Sequence, residues 1–279
     1  MNLSKLTPVL AALILAGCYG PPPPLPPPLP PPSVAAGQGI DLATDTSDVL
    51  NELKGSRLEF VARYYRDPDS GWPPLSASEA QRLSALGVKI VAVWEWHSAD
   101  PTRFSYAAGY GDAVAAYTQA KAVGQPPGSA IYFAVDHNIP SRSMVAIDEY
   151  FRGVNAGLTA ASGGIAGYKI GVYGSGAVCD AVKRAGLAQY SWLSNSFAWA
   201  GSTTYDDWNI RQGDRRSELS FNNDSDEARE DYGAFQVAGG SMPFPGDGVA
   251  APGAAYGNPA GVPVAVGGPA FTSAAIPVR

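Results

Sequence analysis

The chain has 279 residues, with 25 Asp and Glu against 19 Lys and Arg, two His and two Cys, and a net charge of −6. Two cysteines build no disulfide framework. The basic residues are scattered, densest at "KRAG" and "RQGDRR", and supply neither the basic face a nucleic acid needs nor a basic amphipathic helix for a membrane surface.

From Leu6 to Gly17 the residues are almost all apolar, preceded by Lys5. A transmembrane helix needs roughly 20 such residues, so this run is too short to span and fits the central region of a secretory signal. It ends Leu15-Ala16-Gly17-Cys18, which resembles the lipobox of bacterial lipoproteins. The resemblance implies cleavage after residue 17, a diacylglycerol on the Cys18 thiol, and a cell-envelope location facing the periplasm or the exterior. Membrane attachment then rests on the lipid alone; an ordinary cleaved signal with an incidental cysteine is the alternative. Loss of Lys5 with the leader takes the charge from −6 to −7. In the linker, residues 18–37, the run Pro21 to Pro32 favours polyproline II at about 3.1 Å per residue, a rod of roughly 35–40 Å. A low-complexity spacer of no set length is the competing reading.

After the linker, short β-branched or aromatic runs alternate with stretches of helical period. "GIDLA" precedes "DTSDVLNELKG", where a Thr or Ser caps the helix and Gly55 ends it. "LEFVARYY" precedes "SASEAQRLSALG", with Ser76 and Glu79 spaced as a capping box. "VKIVAVWEW", "SAIYFAVD" and "YKIGVYG" each lead into a further helical stretch, and "YSWLSNS", "WNIRQ" and "LSFNND" follow with little helix between them. Strand then helix, repeated, predicts parallel strands with crossover helices. Eight candidates over residues 38–238 predict a single (β/α)8-type TIM barrel of the α/β class, compact in its C-terminal half. A doubly wound sheet is the alternative, but "GVYGSG" has the wrong spacing for a dinucleotide fingerprint, and no cofactor is expected. Residues 239–279, rich in Gly, Pro and Ala, predict a disordered tail. Cys179, in "GSGAVCDAVKRAG", reads as a small buried hydrophobe.

Barrel enzymes carry their chemistry at the C-terminal ends of the strands. Those ends hold Asp41, then Arg63, Tyr64 and Tyr65, then Trp94, Glu95 and Trp96, then Asp136, His137 and Asn138. The later strands contribute Tyr173, Trp192 and Asn195, Gln212, and finally Asn223 and Asp224. Carboxylates beside aromatic rings suit a sugar, whose apolar face stacks while its hydroxyls are hydrogen-bonded. The two histidines, His97 and His137, make a zinc-type site imaginable, but alternation of side chains turns His137 away from Asp136 and leaves His97 in a loop, so no metal is expected.

"GIDLA", "FVARYY", "IYFAVDHN", "YKIGVYGSGAV", "SWLSNSFAW" and "RQ", in that order, resemble the glycoside-hydrolase-like barrel domain of bacterial exported proteins. That family is similar in turn to the lysozyme-like muramidases of glycoside hydrolase family 25. The resemblance covers nearly all of the globular part and implies a groove for a cell-wall glycan, in a protein expected to be monomeric. The muramidase Asp on the first strand is matched by Asp41, and its Asp-x-Glu on the fourth by Asp136-His137-Asn138. Position 138 thus lacks the proton donor. If the protein is an O-glycosyl hydrolase, the acidic pair is Asp136 and Glu95 with Asp41 as electrostatic support; Glu95 could instead pair structurally with Arg63. Arg63, Tyr64, Trp94, Asn138, Tyr173, Trp192, Gln212 and Asp224 are the expected substrate-binding residues. Non-catalytic glycan binding by the same groove is the competing class, and a metal-dependent hydrolase a weaker third.

Overall fold

Side chains alternate between the two faces of a strand, and here that alternation sorts the core into two layers. The computed structural model describes residues 37–238, apart from 141, 142, 166 and 217. The expected leader, the lipid-bearing Cys18, the run Pro21 to Pro32 and the tail lie outside the described residues. In chain order the elements are β1 (Gly37–Asp41), α1 (Leu50–Gly55), β2 (Phe60–Tyr65), α2 (Ala77–Ala85), β3 (Lys89–Trp94), α3 (Tyr106–Val123) and β4 (Ala130–Ala134). They continue with α4 (Met144–Ala161), β5 (Lys169–Gly174), α5 (Gly176–Arg184), β6 (Tyr190–Leu193), β7 (Ile210–Gln212) and β8 (Asp224–Ala228). The strands close into a barrel in sequence order, the predicted α/β barrel with few helices in its C-terminal half.

One set of side chains, including Val61, Ile90, Ala92, Ile131, Phe133 and Val172, faces outward and packs under the helices. The other, including Phe60, Ala62, Val93, Tyr132, Trp192 and Ile210, fills the barrel. Two glycines make room for large rings inside. A Cβ on Gly39 would lie 2.3 Å from the Phe60 ring, and one on Gly171 would lie 2.4 Å from that of Tyr132. Outside, α3 and α4 touch backbone to backbone: a Cβ on Gly153 would lie 2.0 Å from the Tyr106 carbonyl oxygen, and one on Gly109 equally close to that of Tyr150. After β8 the chain crosses beneath the barrel, where Phe235 exchanges backbone hydrogen bonds with Ile90 and Gly233 accepts from Ala130.

Two local expectations change. The helix α1 has Val49 at its N-cap and no side-chain cap, because Thr46 gives both its backbone N–H and its hydroxyl to Glu79. Half of the capping box on α2 forms: Ser76 Oγ accepts from the Glu79 N–H at 3.1 Å. The Glu79 carboxylate does not reach back, since it is committed to Thr46 and Arg63.

The larger correction concerns the last strand. The pairs β1–β2 through β6–β7 are parallel, but β8 runs antiparallel to both β7 and β1. A parallel return needs a crossover of a dozen or more residues, usually a helix, and the short connection 213–223 contains none. The predicted strand "LSFNND" is instead the loop, turned by Asn223, which accepts from the Arg216 N–H and donates to the Phe221 carbonyl. The strand proper starts at Asp224. Because it runs the other way, its first residue lies at the rim where the parallel strands end, so Asp224 still reaches the expected mouth.

Candidate active site

Strand ends and parity together build the site. Asp41 ends β1, Gln212 ends β7 and Asp224 begins β8; Tyr64, Tyr173 and Trp192 are inward residues of β2, β5 and β6. Glu95 and Asp136 extend β3 and β4 beyond their last ladder residues, held by backbone bonds from the Glu95 N–H to Tyr65 and from the Asp136 N–H to Ser98. All eight line one cavity of about 260 Å³ at the barrel mouth, with Val93, Ala134, Asn195 and Ser196.

A hydrogen-bonded array fixes one side. Tyr64 OH donates to Asp41 Oδ1 at 2.6 Å and Gln212 Nε2 donates to Asp41 Oδ2 at 2.8 Å. Gln212 Oε1 accepts from Tyr173 OH at 3.0 Å. Both oxygens of Asp41 are therefore engaged. Burial still pushes its carboxyl up to about 6, against the two hydrogen bonds.

The other side is looser. Val93 and Ala134 lie one inward step below Glu95 and Asp136, so each carboxyl stands over apolar wall. Burial, then repulsion from Asp136 and Asp41, pushes Glu95 up to about 7 despite the opposing charge of Arg66. The Arg66 guanidinium lies 3.9 Å from Glu95 Oε2 and over the Tyr64 ring. Asp136 is also raised by burial, opposed by His137. Among the described residues, neither carboxyl accepts a hydrogen bond from the protein, so both are free to meet a ligand's hydroxyls.

Three expected binding residues do not reach the cavity. Arg63 and Trp94 directly neighbour Tyr64 and Glu95 along their strands and so point outward. Arg63 is fully buried, its guanidinium bonded to Glu79 and to the carbonyls of Leu42 and Pro73. The alternative pairing of Arg63 with Glu95 is thereby corrected: Glu79 takes Arg63, and Arg66 takes Glu95. Trp94 packs in the layer beneath the helices. Asn138 is exposed in the loop after β4, where its Oδ1 accepts from the Ala200 N–H at 3.1 Å. His97 sits in the loop after β3 with φ 54°, its ring against Trp96.

Ser196 lines the cavity and Asp226 lies buried beneath it, neither having been expected there. Asp226 is 1 % exposed, directly below Asp41 inside the barrel; its Oδ1 accepts from Trp192 Nε1–H at 2.9 Å. Burial and the Asp41 charge raise its carboxyl well above the usual range. The period-two spacing of Asp224, Asp226 and Ala228 was a readable signal for an inward face, hidden by the poor strand propensity of "DSDEA". Cys179 is fully buried, its thiol pushed up to about 12 by desolvation, as a small hydrophobe would be.

Residues 51–239 match the model of the Rv2525c-like, glycoside hydrolase-like domain. The protein FadG of Bacillus subtilis is 29% identical over 164 residues, which make up 57% of this chain but only 28% of FadG. The chain thus spans well under half the length of that relative. Among solved structures, the Tat-secreted protein Rv2525c of Mycobacterium tuberculosis, in complex with L-tartrate, superposes with a TM-score of 0.60 at 22% identity, covering 71% of this chain and 98% of that one. A protein of B. stearothermophilus superposes with a TM-score of 0.51 at 18% identity, covering 68% of this chain and 95% of that one. The structural likenesses are likenesses of fold; the family match spans most of the chain, including every acidic residue of the cavity except Asp41, and the chain belongs to the Rv2525c-like, glycoside hydrolase-like domain family.

Proposed function

We propose that the cavity binds a glycan of the cell envelope, peptidoglycan or a related polymer, and hydrolyses its glycosidic bond. The observation that carries this reading is the pair Glu95 and Asp136: two carboxyls on adjacent strands, over apolar wall, without hydrogen bonds from the protein. Glycoside hydrolysis needs one carboxylic acid at the leaving oxygen and one carboxylate across the bond. Glu95, near 7, keeps a proton in reach at neutral pH and serves as the acid. Asp136, raised by burial against the opposing charge of His137, serves as the carboxylate. Asp41 is held by Tyr64 and Gln212 and acts as fixed negative charge beside the positive charge that develops on the sugar. Position 138 needs no acid in this scheme, since Glu95 fills that role from the neighbouring strand.

Export and tethering complete the proposal. The run ending Leu15-Ala16-Gly17-Cys18 supports lipid attachment at Cys18, and Pro21 to Pro32 supports a stiff spacer that holds the barrel off the membrane.

Release of reducing ends from purified peptidoglycan tests the chemistry. Loss of the acid or the carboxylate should lower the rate by about 10²–10⁴, in Glu95→Gln and in Asp136→Asn alike. Unchanged release in either variant removes that residue from its role. Binding of insoluble wall by the wild type, with no release, would establish the competing reading of a glycan-binding protein, for which the fixed Asp41–Gln212–Tyr173 array is already suited.

A further inference from the structure

A cavity of about 260 Å³ is smaller than the roughly 300–1,000 Å³ that enclose drug-sized ligands. It holds little more than one sugar ring, so the rest of a glycan strand must lie along the rim. The loop from β6 to β7 borders the cavity through Asn195 and Ser196, and the next residue, Phe197, is 76% exposed. Phe197 thus follows a lining residue of the polar cavity directly in the chain, with most of its side chain open to solvent.

The loop that carries it is firmly held. The Ala200 N–H donates to Asn138 Oδ1 and the Ala200 carbonyl accepts from the Ala177 N–H at 2.8 Å. Ser202 Oγ accepts from the Gly176 N–H, and Asn195 Nδ2 donates to the Gly213 carbonyl. Gly201, with φ 74°, lies so close to the start of α5 that a Cβ on Gly176 would stand 2.2 Å from its carbonyl oxygen. Short internal turns, from the Phe197 N–H to Asn195 and from the Trp199 N–H to Ser196, fix the segment between those anchors.

We propose that Phe197 is the stacking platform of a second sugar subsite next to the cavity, and that Asn138 is its positioning residue. The ligand is a pyranose ring of the same strand whose neighbour occupies the cavity, presenting its apolar C–H face to the phenyl ring. This rests on the glycan reading above. Residue 138 acquires a role as well, because its amide carbonyl, in the loop after β4, anchors the platform loop through the Ala200 N–H.

A calorimetric titration with the monosaccharide N-acetylmuramic acid and the purified peptidoglycan disaccharide decides it, in an Asp136→Asn background so that the ligand is not cleaved. Phe197→Ala should weaken disaccharide binding about five- to tenfold while leaving the monosaccharide within twofold, and Phe197→Trp should restore it. Because Phe197 is exposed, its truncation leaves the fold intact. Asn138→Ala should reproduce part of the loss, and Asn138→Asp, which keeps the acceptor oxygen, should recover it. Equal affinities of the Phe197→Ala and Phe197-containing proteins for the disaccharide, or equal losses for both lengths, overturn the platform while the glycan reading stands. Absence of binding to either saccharide with Phe197 intact overturns the glycan reading and the platform with it.

Discussion

Asp226 is a carboxyl that the barrel buries without a counter-cation among the described residues. Its Oδ1 satisfies the Trp192 indole, while its Oδ2 has no hydrogen-bond partner of good geometry. The nearest charge is Asp41, a like charge, and the remaining groups facing it are neutral or acidic: Tyr173 and Asp224 at the mouth. Burial, then the Asp41 charge, favours the protonated form there, so ionising the group opposes folding. Replacing it separates two contributions. Asp226→Asn preserves an acceptor for the indole and removes the second acid, so thermal unfolding at pH 8 should occur at a higher temperature than in the wild type, with little difference at pH 5. Asp226→Ala leaves the buried indole N–H unsatisfied and should be less stable at both pH values by about 1–3 kcal/mol. A wild-type pH dependence in Asp226→Asn would show that burial of this carboxyl does not oppose its ionisation.

At the scale of elements, the residue that looked like a sugar ligand is a structural tie. Arg63 joins the end of β1, through the Leu42 carbonyl, to the segment before α2, through the Pro73 carbonyl, and to α2 itself through Glu79. Both partners of the ion pair are fully buried. Removing one leaves the other uncompensated, a loss of about 3–5 kcal/mol. Arg63→Ala should thus be strongly destabilised in chemical denaturation, whereas any folded fraction should bind glycan with unchanged affinity; a stable variant with lost affinity would return Arg63 to the site. The periodicity that made β2 recognisable also contained this answer. Tyr64 and Arg63 cannot both face inward, and the same parity separates Glu95 from Trp94. What was not legible was strand eight, because "DSDEA" carries three acids where strands favour β-branched and aromatic residues. Its placement follows from closure of the barrel and from the short return at 213–223, both non-local facts. Asn138 was hidden for a related reason: its partner, the Ala200 N–H, lies in a loop 62 residues away.

For the whole molecule, the acids gathered at the mouth set the pH at which the fold is most stable. Glu95 rises from 4.5 to about 7 and Asp41 from 3.8 to about 6, both chiefly through burial. Between those limits the native state binds more protons than the unfolded chain, so stability is full below the unfolded values and falls as pH rises through the folded ones. Other carboxyls act in the opposite sense. Asp45 and Asp100 are lowered mainly by hydrogen bonds from Ser47 and Thr102 that outweigh desolvation, and their contribution is lost as pH falls below the ordinary carboxylate range. The two trends leave an optimum near pH 5, below neutrality and close to the chain's isoelectric point of about 4.9 for an unrelated reason. Each tenfold gain in proton affinity on folding is worth about 1.4 kcal/mol. Reduced for the partial exposure of Glu95 and for its interaction with Asp41, the mouth should lose on the order of a few kcal/mol between pH 5 and pH 8. In a domain of this size that corresponds to a melting temperature roughly 5–10 °C lower at pH 8. Glu95→Gln should flatten the dependence between pH 5 and 8 and leave the acid limb unchanged. A saturating glycan that hydrogen-bonds the protonated carboxyls should steepen it, because ligand binding then adds to the preference for the protonated native state. A melting temperature that rises steadily from pH 5 to pH 8 would mean that the mouth carboxyls are ionised and solvated, and that no proton donor of the kind hydrolysis requires is stored there.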